Sequence, residues 1–290
     1  MKIGVVGINI GVSSGEEMIG FARLAEEIGL ESVWTFEHVM VPVDYASTYP
    51  YTQDGKMAAT PETNMIDPLI SLSAVAAETR TLRLGTGINI LPQTNPLSLA
   101  KQAASLDFIS GGRFMLGVGI GWLAEEFKAM GVPFEKRGAR HDDYIQALRK
   151  VWAGEVVEHQ SEFVDWSGFK SYPLPVQRPL PLVIGGSKGR VFERVARYGE
   201  GWFSPTTSLE QILPLLDPLD AALAAQGRER SAVEITTMWV PPLEPVEQLP
   251  RYEEAGVQRV LVPMVLMGEQ PQEGLKRFGD EVMAALASPS

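Results

Sequence analysis

Short apolar, β-rich runs alternate with amphipathic stretches almost from end to end of this chain, and that rhythm limits its fold more than any single motif. Residues 2–8 are followed by 16–28, where Met18, Phe21, Leu24, Ala25 and Ile28 recur at the spacing of one helix face. Gly29 stops that helix and 32–36 forms the next strand. Residues 67–79 predict a helix capped by Asp67, with Pro68 at its first position. Strand 82–87, helix 96–109, strand 114–119 and a long helical stretch across 122–152 come next. The second half gives strands at 182–184, 201–204, 233–240 and 257–262, with helices at 188–198, 209–225, 246–255 and 272–287. Strand runs that are apolar throughout imply parallel strands buried on both faces. Eight such β–α units fit most simply into a closed (β/α)8 TIM barrel, with an open doubly wound sheet as the alternative. No linker divides residues 1–290, so a single domain is expected.

Two insertions break the rhythm. Residues 41–65, after the second strand, are polar and proline-punctuated and carry Tyr45, Tyr49 and Tyr51. A barrel builds its active site on that face, and long loops in compact domains are functional or disordered. The segment therefore reads as a substrate lid with its tyrosines against the substrate, or else as a solvated excursion. Residues 155–178, before the fifth strand, are proline-rich and expected to be extended.

Composition removes several classes. With no cysteine, disulfide frameworks, thiolate metal sites, iron–sulfur clusters and cysteine nucleophiles are excluded. A net charge of −11 argues against nucleic acid and anionic membrane as partners. No apolar run reaches the length of a membrane span, and the first residues read as a strand and not a signal peptide, so a soluble cytoplasmic protein is expected. His141 and His159 lack metal-like spacing to each other or to His38, so no metal site is expected.

Gly185-Gly186-Ser187-Lys188-Gly189 fits the G-x-S-x-G pattern of a hydrolase elbow. An elbow needs its acid and histidine after the serine, yet His38, His141 and His159 all precede Ser187. A P-loop is missing its Gly-Lys-Ser/Thr. What survives is an anion cradle, with Gly185 and Gly186 baring the backbone and Ser187 donating a hydroxyl while capping the helix. A plain strand-to-helix turn would look the same in isolation.

Leu84-Gly85-Thr86-Gly87-Ile88-Asn89 ends the third strand and Leu116-Gly117-Val118-Gly119-Ile120-Gly121-Trp122 the fourth. Glycines at consecutive strand ends either leave a flat cavity for a planar ring or mark places where strands and helices pack closely. Trp34-Thr35-Phe36-Glu37-His38 ends the second strand and brings a carboxylate and an imidazole to the same mouth. Taken alone, these are equally a capping acid and a half-buried histidine. Trp202, ending the sixth strand beside Phe203, lines the pocket or packs in the core. Arg137 and Arg140 read as helical ion pairs with Asp142 and Asp143 at i,i+3 spacing, in preference to an anion-binding fork.

Taken together, "SVWTFEHVMVPV", "IDPLISLSAVAAETRTLRLGTGINILP", "NPLSLAKQAASLDFISGGRFMLGVGIGWLAEEF" and "PLVIGGSKGRVFERVARYGEGWF" resemble the bacterial luciferase-like monooxygenase superfamily. More narrowly they resemble its coenzyme F420-dependent oxidoreductase branch, from the first strand to about Pro205. The resemblance implies a barrel that binds F420, or alternatively FMN, at the C-terminal ends of its strands. It places Glu37 and His38 beside the ring, Thr86 among the cofactor contacts, Gly87 and Ile88 at a non-prolyl cis peptide behind the ring, and Ile120, Gly121 and Trp122 along its edge. Gly185, Gly186 and Ser187 match the donors to the cofactor phosphate. Three departures stand out. Trp122 occupies the position of a glutamate found in the superfamily's sugar-phosphate dehydrogenases, Ser204-Pro205-Thr206-Thr207 lacks their phosphate-gripping lysine, and Glu37 replaces the usual aspartate.

The implied activity is F420-dependent hydride transfer to or from a small organic substrate, with His38 as the catalytic proton donor or charge stabiliser and a homodimer as the expected assembly. An FMN-dependent monooxygenase working through a peroxyflavin, or a non-catalytic flavin-binding protein, are the alternatives.

Overall fold

The computed structural model describes residues 1–241 and 243–287. Its strands are β1 (Lys2–Val6), β2 (Ser32–Thr35), β3 (Arg83–Thr86), β4 (Asn89–Ile90), β5 (Phe114–Gly119), β6 (Val157–Gln160), β7 (Asp165–Phe169), β8 (Leu182–Gly185), β9 (Gly201–Ser204), β10 (Glu234–Met238) and β11 (Arg259–Pro263). The helices are α1 (Gly15–Glu27), α2 (Pro68–Glu78), α3 (Pro96–Ser110), α4 (Ala124–Ala129), α5 (Arg137–Trp152), α6 (Val191–Tyr198), α7 (Leu209–Ala224), α8 (Leu249–Glu254) and α9 (Pro271–Ala287).

Eight parallel strands pair in the order β1, β2, β3, β5, β8, β9, β10 and β11. β11 then pairs with β1, Lys2 opposite Arg259, and this closes the ring. The open-sheet alternative is thereby eliminated, and the (β/α)8 barrel stands. Strand parity divides the core into two layers. Val33 and Trp202 point outward into the shell shared with the helices, while Trp34 and Phe203 point inward with Val6, Met115, Val183 and Leu261. On the N-terminal face, the guanidinium of Arg259, 1% exposed, binds Glu31 at 2.6 and 2.7 Å and also reaches Glu234. This ionic closure seals the barrel opposite its C-terminal mouth.

Local chemistry accounts for the helix starts. Asp67 accepts from the N–H groups of Leu69 and Ile70, both at 2.9 Å, and Asn95 plays the same part for α3. Two expectations need correction. The stretch 122–152 is two helices, because Gly131 adopts a left-handed φ of 70° and Pro133 brings no N–H. The segment 155–178 is not simply extended, because β6 and β7 form an antiparallel hairpin. In β6, Val157 and His159 face inward while Glu158 and Gln160 face solvent, a two-residue period the prolines obscured. His159 Nε2 and Ser161 Oγ both bind Asp143, at 2.9 and 2.8 Å, and pin the hairpin to α5.

No helix among the described residues is long and apolar enough to cross a membrane.

Candidate active site

At the C-terminal ends of the strands, Phe36, Ile88 and Met238 cover the inward cluster and form the floor of the mouth. Ile88 follows a cis Gly87–Ile88 peptide. A Cβ on Gly119 would lie 2.5 Å from its Cδ1, and one on Gly185 would lie 2.5 Å from its Cγ2. Likewise, Trp34 takes the space beside Gly85 and Phe203 that beside Gly87. The glycines therefore leave no open slot. They let large side chains fill the barrel and set Ile88 half-exposed at its top, so the expected flat cavity becomes an apolar floor. Thr86 belongs to this packing. It is fully buried and its hydroxyl donates to Gly117 O at 2.8 Å, which removes it from the set that could touch a cofactor directly.

Glu37 and His38 leave β2 side by side but turn to different partners. The Glu37 carboxylate accepts from Asn89 Nδ2 at 2.9 Å and from the Ile90 N–H, so both oxygens are engaged by β4. Burial, reinforced by the charges of Glu126 and Asp67, pushes its pKa up to about 8 against the lowering effect of the Ile90 N–H. His38 Nδ1 lies 2.9 Å from Glu126 Oε2, and the other Glu126 oxygen accepts from the Val39 N–H at 2.5 Å. Glu126 is 0% exposed. No described residue bonds His38 Nε2, whose ring meets Trp122 edge-on at 5.8 Å.

Residues 41–65 fold back onto this corner. The Trp122 ring contacts Tyr45 and Tyr49 at centroid distances of 5.7 and 5.1 Å, and Tyr49 meets Tyr51 at 5.3 Å. Burial, with Tyr51 and Tyr45 beside it, pushes the Tyr49 hydroxyl up to about 12, so it stays a neutral donor. The loop is clasped from α4. Glu125 Oε1 accepts from the N–H groups of Ala46 and Ser47 at 2.8 and 3.2 Å, and Ser47 Oγ accepts from Ala124 N at 3.0 Å. Partial desolvation pulls the Glu125 carboxyl up, but bonds from Ser47 and Ala46 outweigh it and hold the group at about 2.

The glycine turn after β8 differs in detail from its expected form. Gly186 N–H donates to Phe203 O at 3.0 Å and Gly186 O accepts from Trp202 Nε1 at 2.7 Å, so both its backbone groups are already used. Trp202 is accordingly a buried support behind the turn and not a pocket wall. Ser187 does not cap the helix, since α6 begins at Val191 after Arg190, with no side-chain cap. The N–H groups of Ser187, Lys188 and Gly189 find no acceptor among the described residues, so the backbone donors open to an anion lie two positions downstream of the expected Gly185 to Ser187.

Arg137 stands at the start of the adjacent α5. Its Nε donates to Gly121 O at 3.1 Å and its guanidinium lies 3.8 Å over the Phe134 ring, with no carboxylate within salt-bridge reach among the described residues. The expected intrahelical ion pairs do not form: Asp142 pairs with Arg194 at 2.5 Å, and Arg140 bonds the carbonyls of Pro133 and Glu135. Ile120 and Gly121 stay at the rim, with Gly121 (φ 75°) packed on Ile90 and Phe127.

Glu126, Asn89, Glu125 and Arg137 complete the corner without having been singled out as its members. Two acids in a first helical turn read as ordinary partners of the helix dipole, which hides the role of Glu125 and Glu126.

The sequence model of the luciferase-like monooxygenase family matches residues 6–243. An uncharacterized protein of Mycobacterium tuberculosis is 32% identical over 246 residues, 84% of this chain and 85% of its own length. The FMNH(2)-dependent dimethylsulfone monooxygenase of Pseudomonas putida is 30% identical over 222 residues, 74% of this chain and 57% of its own. An F420-dependent secondary alcohol dehydrogenase, solved in complex with an F420-acetone adduct, shares the fold at TM-score 0.77 over 99% of both chains, with 16% identity. By the extent of the family match and the agreement of its relatives, this chain belongs to the luciferase-like monooxygenase family and is an enzyme of the oxidoreductase type.

Proposed function

We propose that the barrel mouth binds F420 and that the chain catalyses hydride transfer between it and a small organic substrate enclosed by residues 41–65. The observation that carries this reading is that His38, whose Nε2 is bonded by no described residue, follows two positions after Phe36, which forms the apolar floor of the mouth with Ile88 and Met238. The donor set fits such a cofactor. Ser187 to Gly189 offer backbone N–H groups and Arg137 a guanidinium free of carboxylates, which suits a phosphate. Ile88 offers an apolar surface to a flat ring.

When bound, the cofactor supplies the hydride chemistry. The protein's own residues orient and protonate. His38 gives a proton to, or takes one from, a substrate oxygen through Nε2. Trp122, backed by Tyr45 and Tyr49, packs against the His38 ring, and Glu37 braces Asn89 and Ile90 of β4. FMN is the second reading, favoured by the name of the Pseudomonas relative.

Absorbance titration with FMN and with F420 tests the cofactor, with tighter F420 binding expected. In the same preparation His38→Ala should fold and bind, while turnover of reduced F420 with menadione falls about 10²-fold or more. Binding of neither cofactor, or a rate in His38→Ala close to that of the unaltered protein, would overturn the proposal.

A further inference from the structure

We propose that Glu126 is the positioning residue that selects the His38 tautomer, an inference that rests on His38 acting as proposed above. Glu126 lies on a different element from His38, at the start of α4, and is 0% exposed. Its two oxygens have separate duties. Oε1 accepts from the Val39 N–H at 2.5 Å, and Oε2 faces His38 Nδ1 at 2.9 Å. A carboxylate can only accept hydrogen bonds, so it requires the proton on Nδ1 and leaves Nε2 bare in the neutral ring. When Nε2 takes up a proton, the same carboxylate faces the imidazolium and stabilises it. Trp122 also packs edge-on against the ring, with centroids 5.8 Å apart.

The Val39 N–H makes this assignment testable, because it demands an acceptor at one fixed place. In Glu126→Gln the amide oxygen must serve Val39, so the amide NH₂ turns toward His38 Nδ1. That nitrogen then has to accept, and the ring proton moves to Nε2. The substitution thus keeps size and shape but reverses the tautomer.

Nitrogen NMR on protein carrying labelled histidine reads this directly, without cofactor or substrate. His38→Ala identifies the His38 signals among the three histidines. The unaltered protein should show a protonated Nδ1 and a bare Nε2 in the neutral ring, and Glu126→Gln the reverse. An unchanged tautomer in Glu126→Gln, or a bare Nδ1 in the unaltered protein, would overturn the proposal.

A second arm measures oxidation of reduced F420 by menadione. Glu126→Gln should lower turnover about 10²-fold, with KM for reduced F420 little changed. Made in His38→Ala, the same substitution should cost nothing more, since it acts through the missing ring. A full additional loss in that background would refute the positioning role. Should Glu126→Gln fail to fold, Glu126→Asp keeps the acceptor and must keep the proton on Nδ1, and a reversed tautomer there is equally fatal. If His38→Ala leaves turnover unaltered, the catalytic reading falls while the NMR result still decides the contact.

Discussion

Asn89 donates to the Glu37 carboxylate at 2.9 Å, and the Asn89 carbonyl oxygen beside that bond is buried without a donor among the described residues. A protonated Glu37 can supply one once the amide turns over. Burial, followed by the charges of Glu126 and Asp67, pushes this carboxyl to about 8 from its ordinary 4.5. The folded chain therefore holds a proton here that the unfolded chain releases. Stability should fall as pH rises from 4.5 to about 8, by up to about 1.4 kcal/mol per pH unit, and level off above that. Glu37→Gln, neutral throughout, should lose this slope and be the more stable protein at pH 8. Urea denaturation of both proteins across the window checks it, and an unchanged slope would mean that Glu37 is ionised in the fold.

Gly117 and Gly119 should respond differently to alanine. At Gly117 the new methyl would sit 1.7 Å from the Thr86 carbonyl oxygen, backbone that cannot move without unzipping β3 from β5. Gly117→Ala is expected to cost about 3 kcal/mol or more, or to prevent folding. At Gly119 the obstacle is the end of the Ile88 side chain at 2.5 Å, which can swing aside. Gly119→Ala should cost only about 1 kcal/mol, yet push Ile88 into the mouth and weaken cofactor binding out of proportion. Denaturation and absorbance titration on each variant separate the two effects.

Glu125→Ala removes the acceptor for the Ala46 and Ser47 N–H groups. Local opening of residues 41–65 should become easier by about 1–2 kcal/mol, hence cleavage there about five- to thirtyfold faster under limited proteolysis. The clasp is pH-dependent in a known direction. Its carboxyl is held near 2 instead of 4.5, so the clasp is intact above pH 4.5 and lost as pH falls toward 2. Cleavage elsewhere at the same accelerated rate would show general destabilisation instead.

Trp202→Phe keeps the outward packing against Phe192 but deletes the N–H that holds Gly186 O at 2.7 Å. The loss in stability should be about 1–2 kcal/mol. Because the turn then loses its support, phosphate-bearing FMN should weaken more than riboflavin, which has no phosphate. Equal weakening of both would place the cofactor phosphate elsewhere.

The alternation of apolar runs with helical spacing was enough to read all eight barrel strands, because buried parallel strands tolerate few polar residues. Fine assignment failed where local sequence is symmetric. Gly201-Trp202-Phe203-Ser204 offers two adjacent aromatics, and only the pairing with β8 and β10 decides that Phe203 faces inward. Ser187 looks like a helix cap by residue type, but Gly189 takes a left-handed φ of 64° and delays the helix to Val191. Glu126 carries no signature at all. Its meaning depends on a contact with His38 across 88 positions, which the fold alone creates.

The clasp and the histidine support come from neighbouring residues, Glu125 and Glu126, on a helix of only six residues. Under the proposed function, access to the mouth and the proton position on His38 are therefore not separable units of inheritance. A lid grafted from a relative without its own α4 would arrive with nothing to latch to, and an α4 exchanged alone would disturb the imidazole. Recombination between family members should succeed only when residues 41–65 and 122–130 travel together, although some sixty positions of barrel lie between them.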